Sequence, residues 1–190
     1  SQMTHSNGSV KNWLLILTIA AWWAAISSFS ATAPGLDGIE ELVWASSFEW
    51  GYLKHPPLPT WVLLPAVQLL GKSPSLTFVM AFLCIGISSC IMMQLLQLIL
   101  QQTQSVEIAG HGALLGTLAV SPIAYYTFLG WEYNHNTVQL VPLASMFYWY
   151  YKTWLDERSG KNLLRRSWIK NWAVLGFCGA MAALSKYSVH

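Results

Sequence analysis

The feature that most constrains this chain is a series of long apolar runs in which charge is almost absent. A helix needs about 20 mostly apolar residues to cross the hydrocarbon core of a bilayer. Four runs reach that length: Asn12 to Ala31, Ser75 to Leu100, Ala109 to Gly130 and Thr137 to Leu155, and a fifth covers residues 168–187. Only 9% of the chain is charged and 54% is hydrophobic, against about 25% charged residues in soluble domains. A soluble helical domain with so large an apolar core would need far more charged surface to stay in solution. The expected fold is therefore all-α and integral to a membrane, with about five transmembrane helices and additional juxtamembrane helices. Eleven Trp, eight Tyr and seven Phe supply the aromatic anchors such a protein needs at its interfaces. The first run is too long and too rich in Trp for a cleaved secretory signal.

Charge and cysteine usage exclude several classes. A net charge of +2, with no run of Lys or Arg, offers no surface that could track a nucleic-acid backbone. Cys84, Cys90 and Cys178 all lie within apolar runs and lack metal-ligand spacing, so they read as buried free thiols. His5, His55, His111, His135 and His190 are scattered, and none forms a close pair with an acid or thiol at helical spacing. No cofactor is expected; a divalent metal between His55 and a nearby Glu is the one alternative.

The stretch Leu58 to Leu70 is apolar but only 13 residues long, too short to span. Pro56, Pro57 and Pro59 crowd its start and Pro65 interrupts it. The segment 156–167 carries Arg158, Lys161, Arg165 and Arg166 and is the most basic loop, so the positive-inside rule places it in the cytoplasm. With a cytoplasmic N-terminus, an even number of crossings must precede it. Omitting Leu58 to Leu70 satisfies that parity, so this run is expected to lie along the interface. Residues 32–74 then form an outer loop, and the turn Trp131-Glu132-Tyr133-Asn134-His135-Asn136 emerges on the same side. Lys186, about 18 residues into the last run, falls roughly 27 Å from its cytoplasmic start, again near the outer face.

Four of the eight acids, Asp37, Glu40, Glu41 and Glu49, occupy this outer loop. Asp37 sits between Gly35-Leu36 and Gly38 at a point suited to a helix N-cap, and capping and chemistry are both open readings of it. Glu40, Glu41 and Glu49 read first as a solvated helix face. Lys54-His55-Pro56-Pro57 sets two potential cations on a proline-stiffened turn at headgroup depth, where Lys54 can also snorkel to ordinary lipid phosphates.

Asp37, then Trp50-Gly51-Tyr52 thirteen residues later, then His55-Pro56-Pro57-Leu58, resembles the first outer loop of the dolichyl-phosphate-mannose protein mannosyltransferase-like superfamily. That superfamily includes the bacterial lipid A aminoarabinose transferases, glycosyltransferases of the GT-C fold. Tyr133-Asn134-His135-Asn136-Thr137-Val138 and Ala182-Ala183-Leu184-Ser185-Lys186-Tyr187 extend the resemblance in the expected order. It implies transfer of a sugar from a polyprenyl-phosphate donor to a lipid, glycan or protein acceptor at the outer face of a membrane, in bacteria the inner membrane. Asp37 matches the acid that serves as general base on the acceptor hydroxyl, in a single inverting displacement. His55 falls where some relatives carry a Lys against donor phosphate, and Lys186 matches a Lys near the outer end of a later span that would offset leaving-group charge. Lys54, Tyr52, Glu40, Asn134 and Asn136 complete the expected substrate-binding set. Two departures stand out: Gly38 follows Asp37 where many relatives have Glu, and Asn136 stands where other relatives carry an acid. Members of that superfamily are several hundred residues long, so the chain is expected to hold the N-terminal, catalytic part. The competing readings are a transporter or lipid-binding protein without chemistry, or a structural subunit. Ionisable groups are nearly absent from the spans before Lys186, which counts against transport.

Overall fold

The computed structural model describes residues 2–31, 33–52, 56–126, 132–160 and 165–186. Within these residues there are seven α-helices and no strands: α1 (Gln2–Ser30), α2 (Leu36–Trp44), α3 (Leu58–Leu70), α4 (Pro74–Leu100), α5 (Val106–Tyr126), α6 (His135–Arg158) and α7 (Arg165–Ser185). Three of them carry stretches long and apolar enough to cross a membrane, at Ser9–Ser30, Pro74–Leu100 and Val106–Ile123. On two of them large apolar side chains point outward: Trp22 and Phe29 on α1 and Leu115, Val120 and Ile123 on α5 are all exposed. In water these would form an apolar patch far larger than a soluble monomer carries; facing lipid they are ordinary. The chain is thus a helical membrane protein.

Helices α6 and α7 are 24 and 21 residues long, about 36 and 32 Å at 1.5 Å per residue. Their length suits a bilayer, but their composition is more polar. Lys152, Asp156 and Glu157 lie near the end of α6, and Lys170 and Asn171 near the start of α7.

Helix α4 is the centre of the bundle and packs against α1, α5 and α6, while α7 packs against α6. One cluster joins Ala20 and Ala24 of α1 to Phe78, Phe82 and Ile85 of α4. A second joins Ile16, Cys90, Met93 and Ala113. Small residues set the spacing here. A Cβ on Gly86 would sit 2.9 Å from the Ala20 Cβ, so α1 and α4 approach as closely as they do only because that atom is missing.

The two short helices cover one end of this bundle. Helix α3 has the bounds and the sub-spanning length expected of it, and tolerates Pro59 because its first turn has no intrahelical use for that N–H. It stops at Gly71, whose φ of 79° is open to glycine and whose N–H closes on the Val67 carbonyl. Leu63 and Val67 of α3 pack with Leu76 and Cys84 of α4 and with Tyr133 and Val138. Helix α2 is amphipathic in an inverted sense. Leu36, Ile39 and Val43 form one stripe and are exposed, whereas Gly38, Glu41 and Ala45 on the opposite side are buried. An apolar stripe turned outward, with Glu41 enclosed on the other side, suits a helix lying at a membrane surface.

Candidate functional site

The polar groups of the covered end are organised by Asn134, the N-cap of α6. Its backbone is extended, and its side-chain Oδ1 accepts the N–H groups of Asn136 at 2.9 Å and Thr137 at 3.1 Å. That capping fixes the orientation of the amide. The NH₂ is left facing the other way, where it donates to Asp37 Oδ2 at 3.2 Å and Glu132 Oε2 at 3.5 Å. One buried amide therefore holds two carboxylates that lie 95 residues apart in sequence, one from α2 and one from the turn before α6 (132 − 37). Thr137, itself buried, braces the turn by donating its hydroxyl to the Glu132 carbonyl at 2.7 Å.

Glycines make this approach possible. A Cβ on Gly35 would collide with the carboxylate of Glu132. A Cβ on Gly38 would lie 3.3 Å from the Pro34 Cβ, a tight contact after Asp37. Glu132 is harder to ionise than an ordinary glutamate: burial raises its pKa most, the charge of Asp37 adds to the rise, and the Asn134 hydrogen bond opposes it.

A second acid lies deeper. Glu41 is 2% exposed and accepts the hydroxyl of Thr60, on α3, at 2.7 Å. Burial pushes its carboxyl up to about 7, with the charges of Asp37 and Glu40 adding to the rise and Thr60 opposing it. Beside it the buried Tyr133 donates its hydroxyl to the Pro59 carbonyl at 2.6 Å. Burial holds that phenol well above its usual range, and Cys84 and Glu41 add to the effect. Helices α2, α3 and the α5–α6 turn are thus tied together through polar groups that exclude water.

The expected site residues separate into several groups. Asp37 lies at the second position of α2, and Gly35 rather than Asp37 is its N-cap; the capping reading is corrected, and the carboxylate reaches Asn134 instead. Asn136 accepts from Lys186 Nζ at 2.8 Å, joining the end of α7 to the start of α6 at the same face as Asp37. Tyr52 is occupied locally: its ring stacks on Trp44 at 5.9 Å, and its hydroxyl donates to the Ser47 carbonyl and accepts the Glu49 N–H. Glu40 is half-buried on α2. Lys54 and His55 lie outside the described residues. Glu41 departs from the solvated face expected of it, because the apolar stripe of α2, not the acidic one, is turned outward. Thr60 was not expected at the site, and Glu132 and Tyr133 were expected only as members of the outer turn, with no role of their own. Glu41 had a legible signal, its place four residues after Asp37 and four before Ala45 on the side opposite Leu36, Ile39 and Val43. Thr60 had none. Among the described residues no three His, Cys, Asp or Glu side chains gather as a metal site.

An apolar cavity of about 360 Å³ begins next to this cluster, between α3, α4, α6 and α7. Leu58, Cys84, Val138, Pro142, Phe177 and Met181 are among its walls. Val138 follows Thr137 directly, and Leu58 precedes the Pro59 whose carbonyl holds Tyr133. The cavity is thus walled by chain neighbours of the residues that brace the carboxylate cluster.

Searches with the chain against family models, curated proteins and solved structures found no match.

Proposed function

We propose that the chain carries the donor and base half of a glycosyltransferase of the GT-C type, moving a sugar from a polyprenyl-phosphate donor to an acceptor hydroxyl at the outer face of a membrane. The observation that carries this reading is the Asp37–Asn134–Glu132 arrangement, with an apolar cavity of about 360 Å³ walled in part by the neighbouring Leu58 and Val138. Two paired carboxylates and an apolar cavity suit a reaction whose donor has a hydrocarbon tail and whose acceptor must lose a proton. In this reading α1, α4, α5, α6 and α7 all span the membrane, α2 and α3 lie along the interface, and the cluster is on the outer side. The positive-inside charge of the α6–α7 loop supports the same orientation.

In this reading the polyprenyl chain lies between α3, α4, α6 and α7, and its phosphate comes up toward Lys186. The acceptor oxygen attacks the anomeric carbon from the side opposite the phosphate. The bond between that carbon and the phosphate oxygen breaks, polyprenyl phosphate leaves with the electron pair, and Asp37 takes the hydroxyl proton. The configuration at the anomeric carbon inverts. Lys186, held by Asn136, offsets the charge that grows on the leaving phosphate. Asn134 has its polar atoms engaged by the helix cap and by the carboxylates, so it positions Asp37 and Glu132 rather than contacting substrate. Burial and the charge of Asp37 make Glu132 harder to ionise than an ordinary glutamate.

The test is transfer from a panel of radiolabelled polyprenyl-phosphate sugars in bacterial membranes with and without the protein. Protein-dependent incorporation from one donor is expected. Tight binding of polyprenyl phosphate with no transfer from any donor would replace this reading with that of a lipid-binding protein.

A further inference from the structure

At the opposite end of the bundle, the last turns of α6 and the first turns of α7 enclose a separate cavity of about 120 Å³. Its walls are Tyr150, Thr153, Trp154 and Glu157 from α6 and Trp172 and Leu175 from α7. The α6 residues fall at the spacings that place side chains on one helix face. Three of the six walls are aromatic, and Glu157 adds a carboxylate at the rim. That carboxylate accepts the indole N–H of Trp172 at 3.2 Å, which holds it against the cavity. No Lys or Arg among the described residues pairs with it. The neighbouring Asp156, by contrast, is met by Lys152 at 3.4 Å and by Asn171 at 3.2 Å.

Thr153 gives the second indication. It is 2% exposed, and its buried hydroxyl has no hydrogen-bond partner among the described residues. A helical Thr commonly bonds a carbonyl one turn earlier, so an unpartnered hydroxyl beside a cavity is unusual and costs stability unless something else meets it. Aromatic faces and a carboxylate attract a cation, and two oxygen acceptors, on Glu157 and Thr153, suit a cation that has N–H groups to donate. Outside the cavity the Arg158 guanidinium rests 5.3 Å from the centre of the Trp154 ring. A positive group therefore stands next to one of the cavity walls, within reach of an anion attached to a bound cation.

We infer that this cavity binds the primary ammonium of an ethanolamine phospholipid, with Glu157 and Thr153 receiving its N–H groups, Tyr150, Trp154 and Trp172 enclosing it, and Arg158 meeting the headgroup phosphate. A lipid is the source that fits the location. The site lies at the ends of two helices of bilayer length, among Tyr148, Trp149, Tyr150, Tyr151, Trp154, Trp168 and Trp172, the band of aromatic residues that marks headgroup depth. A choline headgroup offers the same charge but no N–H, and leaves the Thr153 hydroxyl unmet. The assignment does not depend on the transfer reaction.

The purified protein in detergent is titrated with dihexanoyl-phosphatidylethanolamine, dihexanoyl-phosphatidylcholine, dihexanoyl-phosphatidylglycerol and free phosphoethanolamine, and binding is followed by tryptophan fluorescence. The ethanolamine lipid is expected to bind tightest, and Glu157→Gln to weaken it about tenfold by removing a charge-assisted bond. Thr153→Val is expected to weaken the ethanolamine lipid but not the choline lipid. It should leave the lipid-free protein at least as stable as the parent, because the hydroxyl has no protein bond to lose. Equal binding of the three lipids would overturn the assignment, as would an unchanged preference in both variants. Phosphoethanolamine binding as tightly as the lipid would overturn the lipid source. If Glu157→Gln does not fold, the lipid ranking of the parent and the Thr153→Val result decide.

Discussion

Replacing Glu41 with Gln tests whether an ionisable group is buried under α2. The carboxyl is 2% exposed, and burial raises it from its ordinary 4.5 to about 7. The folded state therefore holds this proton more tightly than the unfolded chain does. Between those two values the folded state binds more protons, so stability falls as pH rises. The contribution is complete below about 4.5 and is lost by the time pH passes about 7. At about 1.4 kcal/mol per pH unit, the interval corresponds to about 3 kcal/mol. Gln has the same shape and its carbonyl can still accept the Thr60 hydroxyl, but it does not titrate. Denaturant unfolding in detergent micelles, followed by tryptophan fluorescence at pH 4 to 8, is the assay. The parent should lose about 3 kcal/mol relative to the Glu41→Gln variant across that range, and the variant should be the more stable protein at pH 8. The comparison cancels other titrating groups, including Glu132, whose own rise acts in the same direction. Parallel pH profiles for parent and variant, or a variant less stable at pH 8, would refute the reasoning.

Two further substitutions probe the carboxylate cluster. Gly35→Ala drives a methyl into the Glu132 side chain and is expected to cost about 1–3 kcal/mol; adding Glu132→Ala should recover most of that loss in thermal unfolding, whereas additive losses would contradict the contact. Asn134→Asp replaces the shared donor with a third negative charge and keeps the helix cap. It should lower the melting temperature more at pH 8 than at pH 5, where the cluster can take up protons, and an equal drop at both pH values would count against the shared-amide geometry.

The helices were legible because a bilayer sets a length and an apolar content, and runs that meet both have few alternatives. Helix α3 appears with the bounds read from sequence, since prolines mark its start and Gly71 its end. The charged, Tyr-rich end of α6 and the charged start of α7 fit their place next to the basic loop, but they lower mean hydropathy, so length and apolarity single out α1, α4 and α5 alone. The site was only partly legible, for reasons that differ between residues. Asp37 was visible as an acid beside a span, yet its partner Asn134 is remote in sequence, and no local pattern announces that contact. Glu41 was misread because an acidic stripe usually faces water. In α2 the environment is inverted, so Leu36, Ile39 and Val43 face outward and the acid is enclosed. Tyr52 looked available for a ligand because it belongs to a conspicuous motif, but the turn from Ser47 to Glu49 uses its hydroxyl.

The most direct test of the account is transfer by the Asp37→Asn variant at saturating donor, measured alongside donor binding in the same membranes. The account predicts that binding is kept while transfer falls by about 10² to 10⁴, the share expected of a positioned general base. Transfer at the parental rate with binding intact would contradict it and remove Asp37 from the chemistry.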